Sequence, residues 1–140
     1  MYAWFVARLV RNGFERLSRD TVALLLERYA DDAHFRFPGE HALAVDCHSK
    51  AEITQWFARL FERVPDLRFE VEEVIVKGPP WDTYICTRYT GRGSSPNAVP
   101  LCYRGMQFAR MSWGKLTAEL VYPDTQAIAG FLATSESSRR

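Results

Sequence analysis

Between Leu67 and Tyr122 the apolar residues recur at every second position, and the breaks between the runs are too short to hold a helix. Leu67, Phe69 and Val71 alternate with polar residues. Val74 and Val76 then continue on the opposite parity, so an extra residue near Glu72 and Glu73 predicts a β-bulge. Gly78, Pro79 and Pro80 form the next turn. A strand over 81–90, a polar loop over 91–97 and a long strand over 99–113 follow. Trp113-Gly114 reads as a tight hairpin turn, because glycine tolerates positive φ, and 115–122 closes the sheet. Strands joined this way leave no room for a helix between them. All helices must therefore pack together on one face, which is an α+β arrangement. A long, bulged antiparallel sheet wrapped around helices makes a cone, and its mouth is a natural small-molecule site.

The rest of the chain supplies those helices. Val6, Leu9, Val10, Gly13, Phe14 and Leu17 fall on one helical stripe. Asp20 is placed to cap a second short helix, in which Val22, Leu25, Leu26 and Tyr29 share a face until Asp31 and Asp32 end it. A short strand over 33–37 runs into Pro38. Ser49 and Glu52 then form a capping box ahead of Ile53, Trp56, Phe57, Leu60, Phe61 and Val64, and Pro65 stops this third helix. Asp124 caps a last helix carrying Ile128, Phe131 and Leu132. The polar stretch 134–140 reads as a frayed tail behind one domain over 1–133.

Composition narrows the function classes. Eighteen basic against seventeen acidic residues leave a net charge of +1, so no strong field is available to hold nucleic acid or an anionic membrane. No apolar run near the N-terminus is long enough to span a bilayer, and a cytoplasmic location is expected. Cys47, Cys86 and Cys102 are odd in number and far apart, as expected of reduced thiols rather than a metal or disulfide framework. His34, His41 and His48 recur every seven residues, but Pro38 and Gly39 interrupt any helix between them. That spacing is no metal signature, and no metal or other cofactor is expected.

Three segments carry a resemblance: "LLLERYADDAHFRFPG", "SKAEITQWFARLFERVP" and "GMQFARMSWGKLTAELVYPD". Together with the element order, they resemble the nuclear transport factor 2-like superfamily over almost the whole chain. That superfamily includes SnoaL-like polyketide cyclases, ketosteroid isomerases and limonene epoxide hydrolases. The resemblance implies a cone-shaped, cystatin-like sheet wrapped around helices. It specifies chemistry poorly, since one fold hosts many functions. The ketosteroid isomerase base and its two oxyanion donors would fall at Phe37, Phe14 and Met106, all apolar here. The aspartate of the epoxide hydrolases' last strand would fall at Val121. Neither catalytic set is present.

The same alignment places Phe14, Phe35, Phe37, Trp56, Met106, Phe108 and Val121 around an apolar pocket, with Glu119 facing into it. A carboxyl group desolvated in such a pocket has its pKa raised, which suits a general acid or base. Arg104 and Tyr89 are its candidate helpers, although an Arg104 ion pair or a wet position at the mouth would make Glu119 purely structural. Arg104, Gln107, Tyr84 and Tyr89 could orient a polar ligand tip or equally serve the outer face of the sheet. His34 and Arg36 alternate with the inward phenylalanines and should point away. Two functions follow. One is a cofactor-free cyclase, isomerase or dehydratase, or a binder, for a hydrophobic polyketide-, steroid- or terpenoid-like molecule. The other is a non-catalytic module of the same fold, and in either case a homodimer through the outer sheet face is expected.

Overall fold

In the computed structural model, which describes residues 1–137, the period-two segments form one curved sheet and the helices lie against it. Helix α1 (Tyr2–Arg16) and the five-residue α2 (Val22–Leu26) precede strands β1 (Tyr29–Phe37) and β2 (Val45–Cys47). Helix α3 (Lys50–Arg63) leads into β3 (Arg68–Lys77), β4 (Thr83–Ser94), β5 (Pro100–Ser112) and β6 (Lys115–Pro123), and α4 (Thr125–Ser137) follows. The sheet order is β2-β1-β6-β5-β4-β3, antiparallel except where β1 runs parallel to β6.

The capping box holds α3 as its residues dictate. Ser49 Oγ accepts the Glu52 N–H at 3.2 Å, and Glu52 Oε1 accepts the His48 N–H at 3.3 Å. Behind the cap Ile53, Trp56, Phe57, Leu60 and Phe61 are buried, joined by Phe35, Phe37, Tyr29 and Leu67 in the main core. The Trp56 indole donates to the Leu43 carbonyl at 2.7 Å, so the largest core ring leaves no polar atom unpaired. The bulge near Glu72 is present as a register shift between Val71 and Glu73. Arg11 of α1 donates to the Val71 carbonyl there at 2.8 Å, tying the first helix to the bend. Asp124 caps α4 by accepting the Ala127 N–H at 3.1 Å.

Several boundaries differ from the sequence reading, each for a tertiary reason. Tyr29, Asp31 and Asp32 belong to β1, because pairing with β6 from Tyr29 onward overrides the turn preference of the aspartates. Thr21, not Asp20, stands at the N-cap of α2, without a side-chain cap. Residues 91–94 extend β4 instead of looping. Gly91 lies so close to the Tyr103 ring that a Cβ would fall 2.5 Å from it, and Asp66 accepts both the Ser94 N–H and its hydroxyl. In α1 the inward stripe runs through the buried Val6 and the half-buried Val10 and Phe14, leaving Leu9 exposed. Residues 134–137 continue α4 with Ser135 buried, so they are no tail; the rest of that expected tail lies outside the described residues.

The largest consequence comes from one residue beside the last hairpin. Trp113 and Gly114 both have positive φ, 49° and 81°, as a tight turn requires. An unbroken ladder from this turn, where Ser112 faces Lys115, would set Phe108 opposite Glu119. The register instead shifts between Arg110 and Met111, and Ala109 faces Glu119. Thr117 is the extra residue, its hydroxyl donating to the Arg110 carbonyl at 3.2 Å. A one-residue slip exchanges the faces of a strand. Leu101, Tyr103, Gly105, Gln107 and Ala109 therefore point inward, while Arg104, Met106 and Phe108 point outward.

Candidate functional site

Glu119 of β6 is the buried carboxylate at the centre of the sheet's concave side, 7% exposed. Parallel pairing sets it beside Phe35 of β1, and antiparallel pairing sets it beside Ala109 of β5. Tyr29, at the start of β1, donates its phenol to Glu119 Oε2 at 2.5 Å. Burial pushes the Glu119 pKa up; the Tyr29 hydrogen bond, and Gln107 beside it, oppose this by favouring the ionised form. The same burial, with the carboxylate against it, pushes the Tyr29 phenol well above its ordinary range.

Further polar groups share this face. Tyr89 on β4 packs edge-on against Tyr103 on β5 with ring centroids 6.0 Å apart, and burial raises both phenols, Tyr103 to about 12. Tyr89 also feels the Glu119 charge. Gly105 makes room for it, since a Cβ there would lie 2.8 Å from the Tyr89 hydroxyl. Thr87 and Gln107 are paired across β4 and β5, and both are buried. The Thr87 hydroxyl and Gln107 Oε1 have no hydrogen-bond partner. Unpaired buried polar atoms are costly and uncommon, and these two lie side by side on β4 and β5.

The walls are aromatic. Phe35 and Phe37 pack on Trp56 with ring centroids 4.7 and 5.0 Å apart, and Phe35 lies 5.9 Å from Phe57. Phe14, half-buried, closes the other side against Tyr89 at 5.4 Å. Val121 is buried on the strand that carries Glu119. A groove of about 550 Å³ opens between α2 and α3, with Val22, Leu26, Phe57 and Phe61 along it and Arg19 and Glu62 at its edge. Glu119 does not line this groove. Phe57, which does, packs on Phe35, the β1 residue paired with Glu119.

The structure thus brings Phe14, Phe35, Phe37, Trp56, Val121, Tyr89 and Glu119 to one side of the sheet, and separates three others from them. Met106 and Phe108 are 47% and 39% exposed on the outer face, where Phe108 packs on Tyr84. Arg104 is exposed on that same face and cannot pair with Glu119. The Thr117 bulge is the cause in all three cases. The position compared with the second isomerase donor is accordingly an outward Met106, flanked by the inward Gly105 and Gln107. Tyr29, Thr87 and Tyr103 escaped the sequence reading. Tyr29 falls on the apolar stripe expected of a helix, and a threonine within a strand carries no local sign that its hydroxyl will be left unpaired.

Outside this site, His34, Asp46 and His48 carry ligand atoms that all lie within 4.8 Å of one another. His41 is not among them; its Nδ1 accepts the Leu43 N–H. The pairing of β1 with β2, not spacing along the chain, brings these three together.

The model of a family described as the SnoaL-like domain matches residues 10–119. Among curated proteins no sequence matches the chain. Solved structures share the fold at low identity. A nuclear transport factor 2-like protein of unknown function from Burkholderia pseudomallei is 17% identical with a TM-score of 0.75, over 89% of this chain and 95% of that one. Bal32a, from a soil-derived mobile gene cassette, is 16% identical with a TM-score of 0.74, over 88% and 92%. TerC, co-crystallised with polyporic acid, is 17% identical with a TM-score of 0.71, also over 88% and 92%. Among the described residues no helix is long and apolar enough to cross a membrane.

Proposed function

Because the chain belongs to the SnoaL-like domain family, we propose that it binds a hydrophobic, ring-bearing small molecule of polyketide, steroid or terpenoid type and transforms it by cofactor-free acid–base chemistry at Glu119. The observation that carries this reading is the buried carboxyl group among aromatic rings with Gln107 beside it, the Thr87 hydroxyl and Gln107 Oε1 being unpaired on β4 and β5. A carboxyl group with an upward-shifted pKa exchanges protons nearer neutral pH than an ordinary glutamate, as a general acid or base needs. Tyr29 holds its orientation through Oε2. The free Thr87 hydroxyl supplies a donor for an oxygen on which negative charge develops during ring closure, isomerisation or dehydration. Aromatic rings around the group exclude water and match a flat apolar skeleton. Tyr89, next to Tyr103 and within reach of the Glu119 charge, is the supporting polar residue.

Entry runs through the groove between α2 and α3 and requires Phe57 to turn aside. Helix α2 suits this role, since it has five residues, no side-chain cap and no buried residue. The test starts from ligand carried through purification, identified by native mass spectrometry, with polyporic acid as the first added probe. Retained ligand in wild type and Glu119→Gln, with conversion only in wild type, supports the reading. Equal conversion by both removes Glu119 from the chemistry. If neither wild type nor a groove-opening Phe57→Ala variant takes up any ligand, the pocket itself is refuted.

The outer sheet face supports a second feature, whether or not the protein is catalytic. Ile75, Met106, Phe108 and Tyr122 are 57%, 47%, 39% and 51% exposed. Large apolar side chains clustered on one sheet face suit an interface, and we propose a homodimer through this face. In a non-catalytic module of the same fold that interface would be the main function.

A further inference from the structure

We propose that His34, Asp46 and His48 form a binding site for a divalent transition-metal ion, which clamps the edge strand β2 onto β1. The inference is independent of the Glu119 reading and rests on strand register. Phe35 faces Cys47, Arg36 faces Asp46 and Phe37 faces Val45. One step further along the ladder, His34 comes opposite His48. Phe35, Phe37 and Cys47 are buried in the core, so alternation turns His34, Asp46 and His48 together to the outer side. The two imidazoles stack with centroids 4.6 Å apart and planes 5° from parallel. Asp46 Oδ1 lies 2.5 Å from His34 Nε2 and 3.6 Å from His48 Nε2.

These separations suit one shared ion. Zinc sits about 2.0–2.1 Å from imidazole nitrogen and about 2.0–2.2 Å from carboxylate oxygen, so tetrahedral ligand atoms stand roughly 3.4 Å apart. The His48–Asp46 distance is already close to that, and the His34–Asp46 pair needs to open by under an ångström. Side-chain rotation suffices, because the His34, Asp46 and His48 side chains are 38%, 57% and 67% exposed. Two imidazoles and one carboxylate select zinc, nickel or copper over magnesium or calcium, which prefer oxygen donors. A fourth position faces solvent. Arg36, opposite Asp46 on the same side, disfavours a cation, so Arg36→Gln should bind metal more tightly.

The clamp has a defined structural consequence. Strand β2 has three residues and lies at the sheet edge, held to β1 over three residue pairs. An ion bridging His34 to Asp46 and His48 would close the loop 38–44, which carries the Leu43 carbonyl that receives the Trp56 indole.

Calorimetric titration of the untagged full chain with zinc chloride, paired with thermal melts, tests this. One equivalent of zinc in the micromolar range and a zinc-dependent rise in Tm are expected, with magnesium chloride inert. His34→Gln and His48→Gln should each weaken binding at least tenfold and lose the rise in Tm. His48→Gln, at an exposed position, should melt like wild type without metal, so a folding defect is told apart from lost ligation. Wild type taking up no zinc, or His48→Gln binding it with unchanged affinity, would overturn the proposal.

Discussion

At Glu119 the molecule holds a carboxyl group where ionisation is disfavoured, and this has a stability signature that can be read without knowing a substrate. Its folded pKa lies above the unfolded value because burial outweighs the help from Tyr29 and Gln107. Between those two values the folded state binds more protons than the unfolded state, so stability falls as pH rises through that window. Above it the ionised group weighs fully against folding; below the unfolded pKa it does not. Glu119→Gln should therefore gain stability over wild type at neutral pH and lose that advantage near pH 4. Urea titrations of both proteins across that range measure it, and parallel curves would mean that the Glu119 pKa is not raised on folding. Gln can still accept from Tyr29, so the comparison isolates charge from hydrogen bonding.

Among the helices, α3 carries the most buried residues, five in all. Trp56 touches Phe35, Phe37 and Phe57, and its indole is the donor to Leu43. Trp56→Ala should cost about 3–5 kcal/mol, the range for large core aromatics, and Phe61→Ala a similar amount. A loss below about 1 kcal/mol in a denaturant titration would contradict the burial of this helix face. Helix α2 lies at the other extreme, with no buried residue, and its amides should exchange with solvent faster than those of α3.

For the whole molecule, the outer sheet face makes the association prediction. Sedimentation at micromolar concentration should show twice the 16.1 kDa chain mass. Phe108→Glu, at an exposed position whose backbone pairing is unchanged, should give a folded monomer. A wild-type species near 16.1 kDa alone would refute the dimer.

What the sequence determined by itself was everything carried by local patterns. The helical period from Ile53 to Val64 with its Ser49–Glu52 cap, the bulge near Glu72, the Trp113-Gly114 turn and the Asp124 cap all stand as read, because each depends on neighbours within a few residues. The α+β architecture followed, since strands joined by short turns leave the helices one face to share. Only the tertiary structure decided which way β5 looks. The Thr117 bulge changes no residue type, yet it moves Met106, Phe108 and Arg104 outward and brings Gln107 inward beside Glu119. Long-range pairing likewise draws Tyr29 into a strand against β6, and the pairing of β1 with β2 stacks His34 on His48. A sheet face has a period of two residues, so a single inserted residue reverses it. Such a residue finds its place through pairing between distant strands, which no local pattern records.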